Sequence, residues 1–156
     1  MSFSFSEFLV VLLALSLAIA AALDISSRTI PNWLTLGIAL AAIPYWWASD
    51  LAVWPDVAMR VGVAGLVFAV FALAFSLKMM GGGDVKLLAA LALWLPTPAV
   101  MILLVLMSIA GGVLTLAMFI PHKIARSAGQ PEIPYGIAIA FAGLWLLGER
   151  FLNQFV

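Results

Sequence analysis

SEFLVVLLALSLAIAAALD, residues 6–24, is an apolar run whose only charges are Glu7 and Asp24, near its two ends. A helix that spans a membrane needs about 20 predominantly apolar residues. The whole chain has 156 residues, of which 66% are hydrophobic and 9% charged, and its mean hydropathy is +1.23. The runs do not alternate as barrel strands do, and backbone groups in hydrocarbon must be bonded internally. The sequence therefore predicts a helical integral membrane protein.

Charged residues, prolines and glycines divide the chain into six candidate membrane spans. The spans are predicted near residues 5–23, 33–49, 57–77, 84–97, 98–120 and 135–153. Five basic residues fall in the connections after the odd-numbered spans: Arg28, Lys78, Lys86, Lys123 and Arg126. The opposite side holds only Arg60 and Arg150. Because Lys and Arg mark the cytoplasmic side, we expect an all-α membrane bundle of about six helices and one domain over residues 1–156, with both termini outside.

The fourth span is the weakest of the six. A helix from Asp84 to Leu95 is about 18 Å long at 1.5 Å per residue, whereas the hydrocarbon core is about 30 Å thick. The segment 84–97 either crosses a thinned, protein-lined region or re-enters on the same side. Re-entry would place Lys123 and Arg126 outside, against the charge bias, so crossing is the favoured interpretation.

The composition excludes several kinds of site. The chain has no cysteine, so it has no thiolate nucleophile and no cysteine-based zinc site. Its single histidine, His122, has no evident serine partner, and we expect it to begin a basic loop. The sequence also lacks an HExxH zinc motif. With a formal net charge of zero, we expect no nucleic-acid partner, no cofactor and no metal.

Asp24 and Asp84 are the ionisable residues that favour chemistry. Asp24 closes the first span and Asp84 opens the fourth, so the parity of the crossings puts both on the cytoplasmic side. Ionisable groups at membrane spans are functional hypotheses by default. Two close carboxylates tend to share one proton, and such a pair can activate water and bind the scissile carbonyl. The sequence therefore suggests a two-aspartate hydrolase site, provided that the two helices are neighbours.

The stretch KMMGGGDVKLL, residues 78–88, surrounds the second aspartate. Gly81 and Gly83 permit close approach of another chain and unusual backbone conformations, so an extended substrate could lie there. The alternative is a flexible loop in which Asp84 only caps the next helix. Taken alone, the two interpretations are equally good.

Three segments together resemble the type IV prepilin peptidases. GGGDVKLL fits the GxGD signature of that family, with Gly81, Gly83 and Asp84 on its fixed positions. LDISSRTIPNWLT, residues 23–35, resembles its other aspartate segment, and IPYGIAIAFAG, residues 133–143, resembles its last helix. The short length resembles the peptidase-only enzymes of tight-adherence (Flp) pilus systems.

The resemblance implies a definite activity. Such enzymes are aspartic endopeptidases that remove the short basic leader from prepilins or pseudopilins at the cytoplasmic face of the bacterial inner membrane. It makes Asp24 and Asp84 the catalytic pair, with the prepilin and the lipid bilayer as partners. The cysteine-containing methyltransferase segment of larger members has no counterpart here. The identity of the prepilin, the cut, the protonated aspartate and the oligomeric state are not predicted.

The remaining candidates are secondary. Arg28, Lys78 and Lys86 could act electrostatically on the aspartates or hold lipid phosphates, and Asn32 could cap the second helix or hydrogen-bond a carboxylate. Three other functions stay open. A transporter or proton-pathway subunit could also use membrane aspartates, a non-catalytic pilus assembly subunit would need none, and a presenilin-like protease shares GxGD but cuts inside the membrane.

Overall fold

The computed structural model describes residues 4–124 and 135–152, with side-chain surroundings for 4–117 and 135–150. The described residues form helices and no strands. The helices are α1 (Phe5–Ser27), α2 (Asn32–Ala48), α3 (Ala58–Ser76), α4 (Gly82–Ala92), α5 (Thr97–Ile124) and α6 (Tyr135–Leu152). The kinked segment Val53–Val57, in which Trp54 is extended, precedes α3. The prediction of six helices is confirmed.

The first helix has well-defined ends. At its start the Ser4 hydroxyl accepts a hydrogen bond from the Glu7 N–H at 3.2 Å, and the Glu7 carboxylate accepts one from the Ser4 N–H at 2.7 Å. This reciprocal capping box satisfies two of the unpaired N–H groups of a helix start. At the other end Arg28 adopts a left-handed conformation with φ of 54°, and its N–H donates to the Asp24 carbonyl at 3.1 Å. The chain turns here, so Asp24 lies in the last turn of α1.

The short helix α4 lies at the centre of the bundle. It packs against α2, α3 and α6, while α1 packs against α2 and α6, and α5 against α6. Leu87, Leu88 and Leu91 of α4 have no exposed surface. On α6, a Cβ at Gly143 would lie 2.8 Å from Leu91 and 2.9 Å from Leu17 of α1, so glycine is needed for this close packing. The core therefore surrounds α4, whose first turn carries Asp84.

The outer faces of the bundle are apolar. Three helical segments in the described part of the chain are long and apolar enough to span a membrane: Phe5–Ser27, Val53–Ser76 and Thr97–Ala117. Large apolar side chains such as Leu15, Leu66 and Leu116 are each about 60% exposed. Exposed apolar helix faces suit lipid as the surrounding solvent. The fold is that of a helical membrane bundle, with α4, at 11 residues, too short to qualify as a span.

One boundary corrects the sequence interpretation. Helix α5 continues to Ile124, so His122 and Lys123 lie in a helix and do not begin a loop. Apolar neighbours before them extend the helical run, and Pro121 does not end it. The side chains of His122 and Lys123 lie outside the described residues, as do Arg126 and the segment that joins α5 to α6.

Candidate active site

Asp24 is a buried carboxylate at the end of α1. Its side chain is 4% exposed, although aspartate seldom lies in a protein interior without a partner. The backbone N–H groups of Gly136 and Ile137, in the first turn of α6, interact with this carboxylate. The first N–H groups of a helix have no partner inside the helix and favour negative charge. The start of α6 therefore faces the end of α1 with donors that suit a carboxylate.

Only glycine fits at position 136. A Cβ built there would lie 2.7 Å from Oδ2 of Asp24 and 2.8 Å from Cδ1 of Ile30. Both distances are well below a van der Waals contact. Oδ2 of Asp24 is also buried without a hydrogen-bond partner among the described residues. One oxygen of this carboxylate is thus held against the α6 backbone and remains available to another hydrogen-bonding group.

Asp84 is the second buried carboxylate, with 7% of its surface exposed. It is the third residue of α4, and Gly81 occupies the N-cap position. The carboxylate turns back towards the Gly81 backbone, with which it interacts, in the manner of the acidic residue of a capping box. A Cβ at Gly81 would lie 2.9 Å from Oδ2 of Asp84. The interpretation of Asp84 as the cap residue itself is wrong, because the helix begins two residues earlier, at Gly82.

The two carboxylates converge at one end of the bundle. They interact electrostatically with each other, and both α1 and α4 pack against α6. Ile30, in the linker between α1 and α2, is 7% exposed. It lies beside the starts of α4 and α6. A Cβ at Gly83 would lie 3.1 Å from Cβ of Ile30 and 3.3 Å from its backbone N and O. Residues 60 positions apart in the sequence therefore lie close together where these helix ends meet.

The three glycines have a steric role. Gly81 has φ of −72° and ψ of 143°, which any residue can adopt, and Gly82 and Gly83 are helical. Although glycine permits backbone conformations closed to other residues, the described segment does not adopt them. The segment instead needs space, for the Asp84 carboxylate at Gly81 and for the Ile30 backbone at Gly83. No described contact bears on the predicted substrate approach over these residues.

Arg28 and Lys78 lie near the two aspartate-bearing helix ends. Arg28 follows α1 and interacts electrostatically with Asp24. Lys78 follows α3 with φ of 58°, and its N–H donates to the Phe75 carbonyl at 2.9 Å. The exposed Lys78 side chain makes no hydrogen bond or ion pair with a described residue. Of these two cations, only Arg28 thus acts on an aspartate.

Lys86 and Asn32 form a pair that does not involve the aspartates. The ammonium of Lys86 donates to Oδ1 of Asn32 at 2.8 Å, and both residues are exposed on the groove between α2, α3 and α4. Residues two apart on a helix point to different faces, so Lys86 faces away from Asp84. The expectation that Asn32 caps α2 is wrong, because Pro31 occupies the N-cap position without a side-chain cap bond. Its amide also does not bond either aspartate in the described part of the chain.

Sequence analysis missed the part that α6 plays at this site. A Cβ at Gly136 would meet both the Asp24 carboxylate and Ile30, so the start of α6 lies directly against them. The sequence predicts no role for Gly136 beyond its place in the Pro-Tyr-Gly run of the family resemblance. A glycine directly at a predicted helix start, where a side chain is normally tolerated, was the available signal.

These contacts can be set beside known proteins. Residues 11–116, more than half of the chain, match the model of the type IV leader peptidase family. The chain belongs to this family. The match includes both aspartates and the three glycines before Asp84, and it confirms the resemblance drawn from the sequence. No curated protein and no solved structure matched the chain. Family and fold together make the protein a membrane peptidase.

Proposed function

We propose that this peptidase is an aspartic endopeptidase in which Asp24 and Asp84 act on one water molecule and one scissile amide. The observation that supports this most directly is the convergence of two buried carboxylates from α1 and α4 that interact electrostatically. Buried carboxylates without a metal or a full set of ion-pair partners are costly. In a peptidase such a close pair can serve catalysis, since it holds one proton between its members and so offers one base and one acid.

The proposed mechanism needs only the two side chains and water. The ionised carboxylate accepts a proton from the water molecule while the water oxygen attacks the scissile carbonyl carbon. The protonated carboxyl group donates a hydrogen bond to the carbonyl oxygen. A tetrahedral intermediate results. When the C–N bond breaks, the leaving nitrogen receives a proton from the dyad, and the dyad returns to its singly protonated state. The pair titrates as a unit, so the mechanism assigns the proton to the pair.

The position of the aspartates favours a cut at a membrane face. Asp24 lies in the last turn of the apolar helix α1, and Asp84 lies in the first turn of α4. Arg28 and Lys78 follow helices at this end, so the positive-inside bias makes it the cytoplasmic face. A prepilin whose basic leader lies in the cytoplasm and whose apolar helix lies in the bilayer presents its junction at this level. We therefore propose leader removal from type IV or Flp prepilins or pseudopilins in the bacterial inner membrane.

Cleavage of a co-expressed prepilin tests the proposal. Wild type, Asp24→Asn and Asp84→Asn are compared at equal expression, with leader loss scored by gel shift and the new terminus by N-terminal sequencing. Asparagine preserves size and hydrogen bonding but removes the carboxylate. Asp50→Asn is the matched control, since Asp50 is exposed in the α2–α3 connection with φ of 50°, a conformation that asparagine tolerates. We expect the control to cut and both site variants to leave the precursor whole.

Each other outcome has a defined meaning. If either site variant cuts at the wild-type rate, the two-carboxylate mechanism is wrong. If the cut falls inside the apolar segment of the substrate, the enzyme acts as an intramembrane protease. If the wild type releases no leader from any prepilin of its own genome but conducts ions in vesicles, the transporter alternative replaces the proposed function.

A further inference from the structure

A second cluster of charged and aromatic residues lies at the end of the bundle away from the aspartates. Tyr45 lies in the last turn of α2, Arg60 in the first turn of α3, Trp94 just after α4, and Arg150 near the end of α6. Helix α3, which carries Arg60 in its first turn and belongs to the candidate membrane span Val53–Ser76, leads from this end of the bundle towards Lys78. Since cations are biased towards the other membrane face, two arginines together at this end require a reason.

The two arginines bind to one aromatic pair. The rings of Tyr45 and Trp94 stack with their centroids 4.8 Å apart. The guanidinium of Arg150 donates to the Tyr45 hydroxyl and lies 5.7 Å from the centre of its ring. Arg60 donates to the Trp94 carbonyl. The two cations are thus placed next to each other by contacts with neutral groups.

The charge of this cluster is not balanced within the described part of the chain. Arg60 and Arg150 repel each other electrostatically, and Asp56 attracts Arg60. Neither arginine forms an ion pair with a described carboxylate. Glu149, next to Arg150, instead accepts a hydrogen bond from the Trp145 indole at 3.1 Å. Two neighbouring guanidinium groups, of which Asp56 attracts one, favour the binding of an additional anion between them.

The chemistry of the site selects a phosphate. A guanidinium has five N–H donors in a planar fork, and each arginine uses one of them in the contacts above. The remaining donors suit the oxygens of a phosphate, to which arginine binds in a bidentate manner. Trp47 and Trp54 at the same end are 81% and 80% exposed, as is typical of side chains at the headgroup level of a membrane.

We propose that Arg60 and Arg150 bind the phosphate of an anionic phospholipid at the membrane face opposite the aspartates. A net negative headgroup matches the two cations, whereas the ammonium of a zwitterionic headgroup is repelled by them. The bound lipid links the start of α3 to the end of α6 and screens the repulsion between their arginines. The inference is independent of the proposed peptidase activity.

Thermal unfolding of the full chain in an uncharged detergent tests this site. Phosphatidylglycerol, phosphatidylcholine and inorganic phosphate are titrated separately, because a ligand that binds the native state raises Tm. We expect phosphatidylglycerol to raise the wild-type Tm more than either of the other two. Arg150→Gln should weaken the apparent affinity roughly tenfold or more, as expected for loss of charged hydrogen bonds, and Arg60→Gln should act likewise.

Two variants keep the test decisive. If Arg60→Gln does not fold, because the Trp94 carbonyl has lost its donor, Arg150→Gln alone decides, since its side chain is exposed. Lys78→Gln is the matched control, which removes one positive charge at the other end of the bundle and should preserve the lipid effect. The proposal is overturned if Arg150→Gln responds to phosphatidylglycerol as the wild type does, or if phosphatidylcholine or free phosphate stabilises the wild type equally.

Discussion

Replacing Gly136 by alanine is the sharpest steric test of the candidate site. The new methyl group would lie 2.7 Å from Oδ2 and 2.9 Å from Cγ of Asp24, and 2.8 Å from Cδ1 of Ile30. Relief to ordinary contact requires the carboxylate or the start of α6 to move by about 0.7 Å or more. A misplacement of about 1 Å can cost about 100-fold in rate. With Asp24 as a catalytic group, we expect kcat for prepilin cleavage to fall by about 10- to 100-fold.

The same change should also affect stability, so activity and folding are measured together. Overpacking of this kind typically costs about 1–3 kcal/mol in the free energy of unfolding. Gly148→Ala on the same helix is the matched control, because a Cβ there meets nothing within 4 Å. We expect the control to keep wild-type cleavage and Tm. A Gly136→Ala enzyme that cleaves its prepilin at the wild-type rate would refute the placement of Asp24 against α6.

Three other substitutions have expected outcomes. Gly83→Ala presses on the backbone of the α1–α2 linker at 3.3 Å and should lower the free energy of unfolding by about 1–3 kcal/mol; an unchanged Tm would contradict this packing. Trp94→Phe removes the indole donor that bonds the Ile38 carbonyl at 3.0 Å and should cost about 1 kcal/mol, whereas equal stability in denaturant titration would show that the bond contributes nothing. Lys86→Met breaks the exposed bond to Asn32 and should leave prepilin cleavage near the wild-type rate; a 100-fold loss would place Lys86 in the site.

Much of the fold follows from local sequence signals. Apolar runs bounded by Pro31, Gly81 and Pro96 predict where helices begin, because proline interrupts a helix and glycine permits the chain to turn. The number of crossings places Asp24 and Asp84 at one end of the bundle without any knowledge of helix packing. The identity of the two candidate carboxylates thus depends on charge and parity, both of which are readable in a single sequence.

Local sequence signals do not predict which residues lie next to each aspartate. Gly136 is 112 positions from Asp24, and periodicity does not specify which helix packs against which in an apolar chain. In lipid all faces of a helix are apolar, so the usual contrast between a buried and a solvated face is missing. The same limit applies to the Lys86–Asn32 bond, which joins residues 54 positions apart. Capping rules favoured Asn32 as a helix cap because they consider only its own helix.

The short helix α4 explains how a single aspartate can be held firmly inside an apolar bundle. A helix that ends inside a protein leaves its last carbonyls without partners in the helix, and these carbonyls need hydrogen bonds from other protein groups. Here the Trp46 indole donates to the Leu93 carbonyl at 2.9 Å, and Arg60 donates to the Trp94 carbonyl. A cation beside the last turn also suits the negative end of the helix dipole. With its C-terminal end fixed by α2 and α3 and its first turn packed against Ile30, α4 has little freedom to move Asp84 away from Asp24.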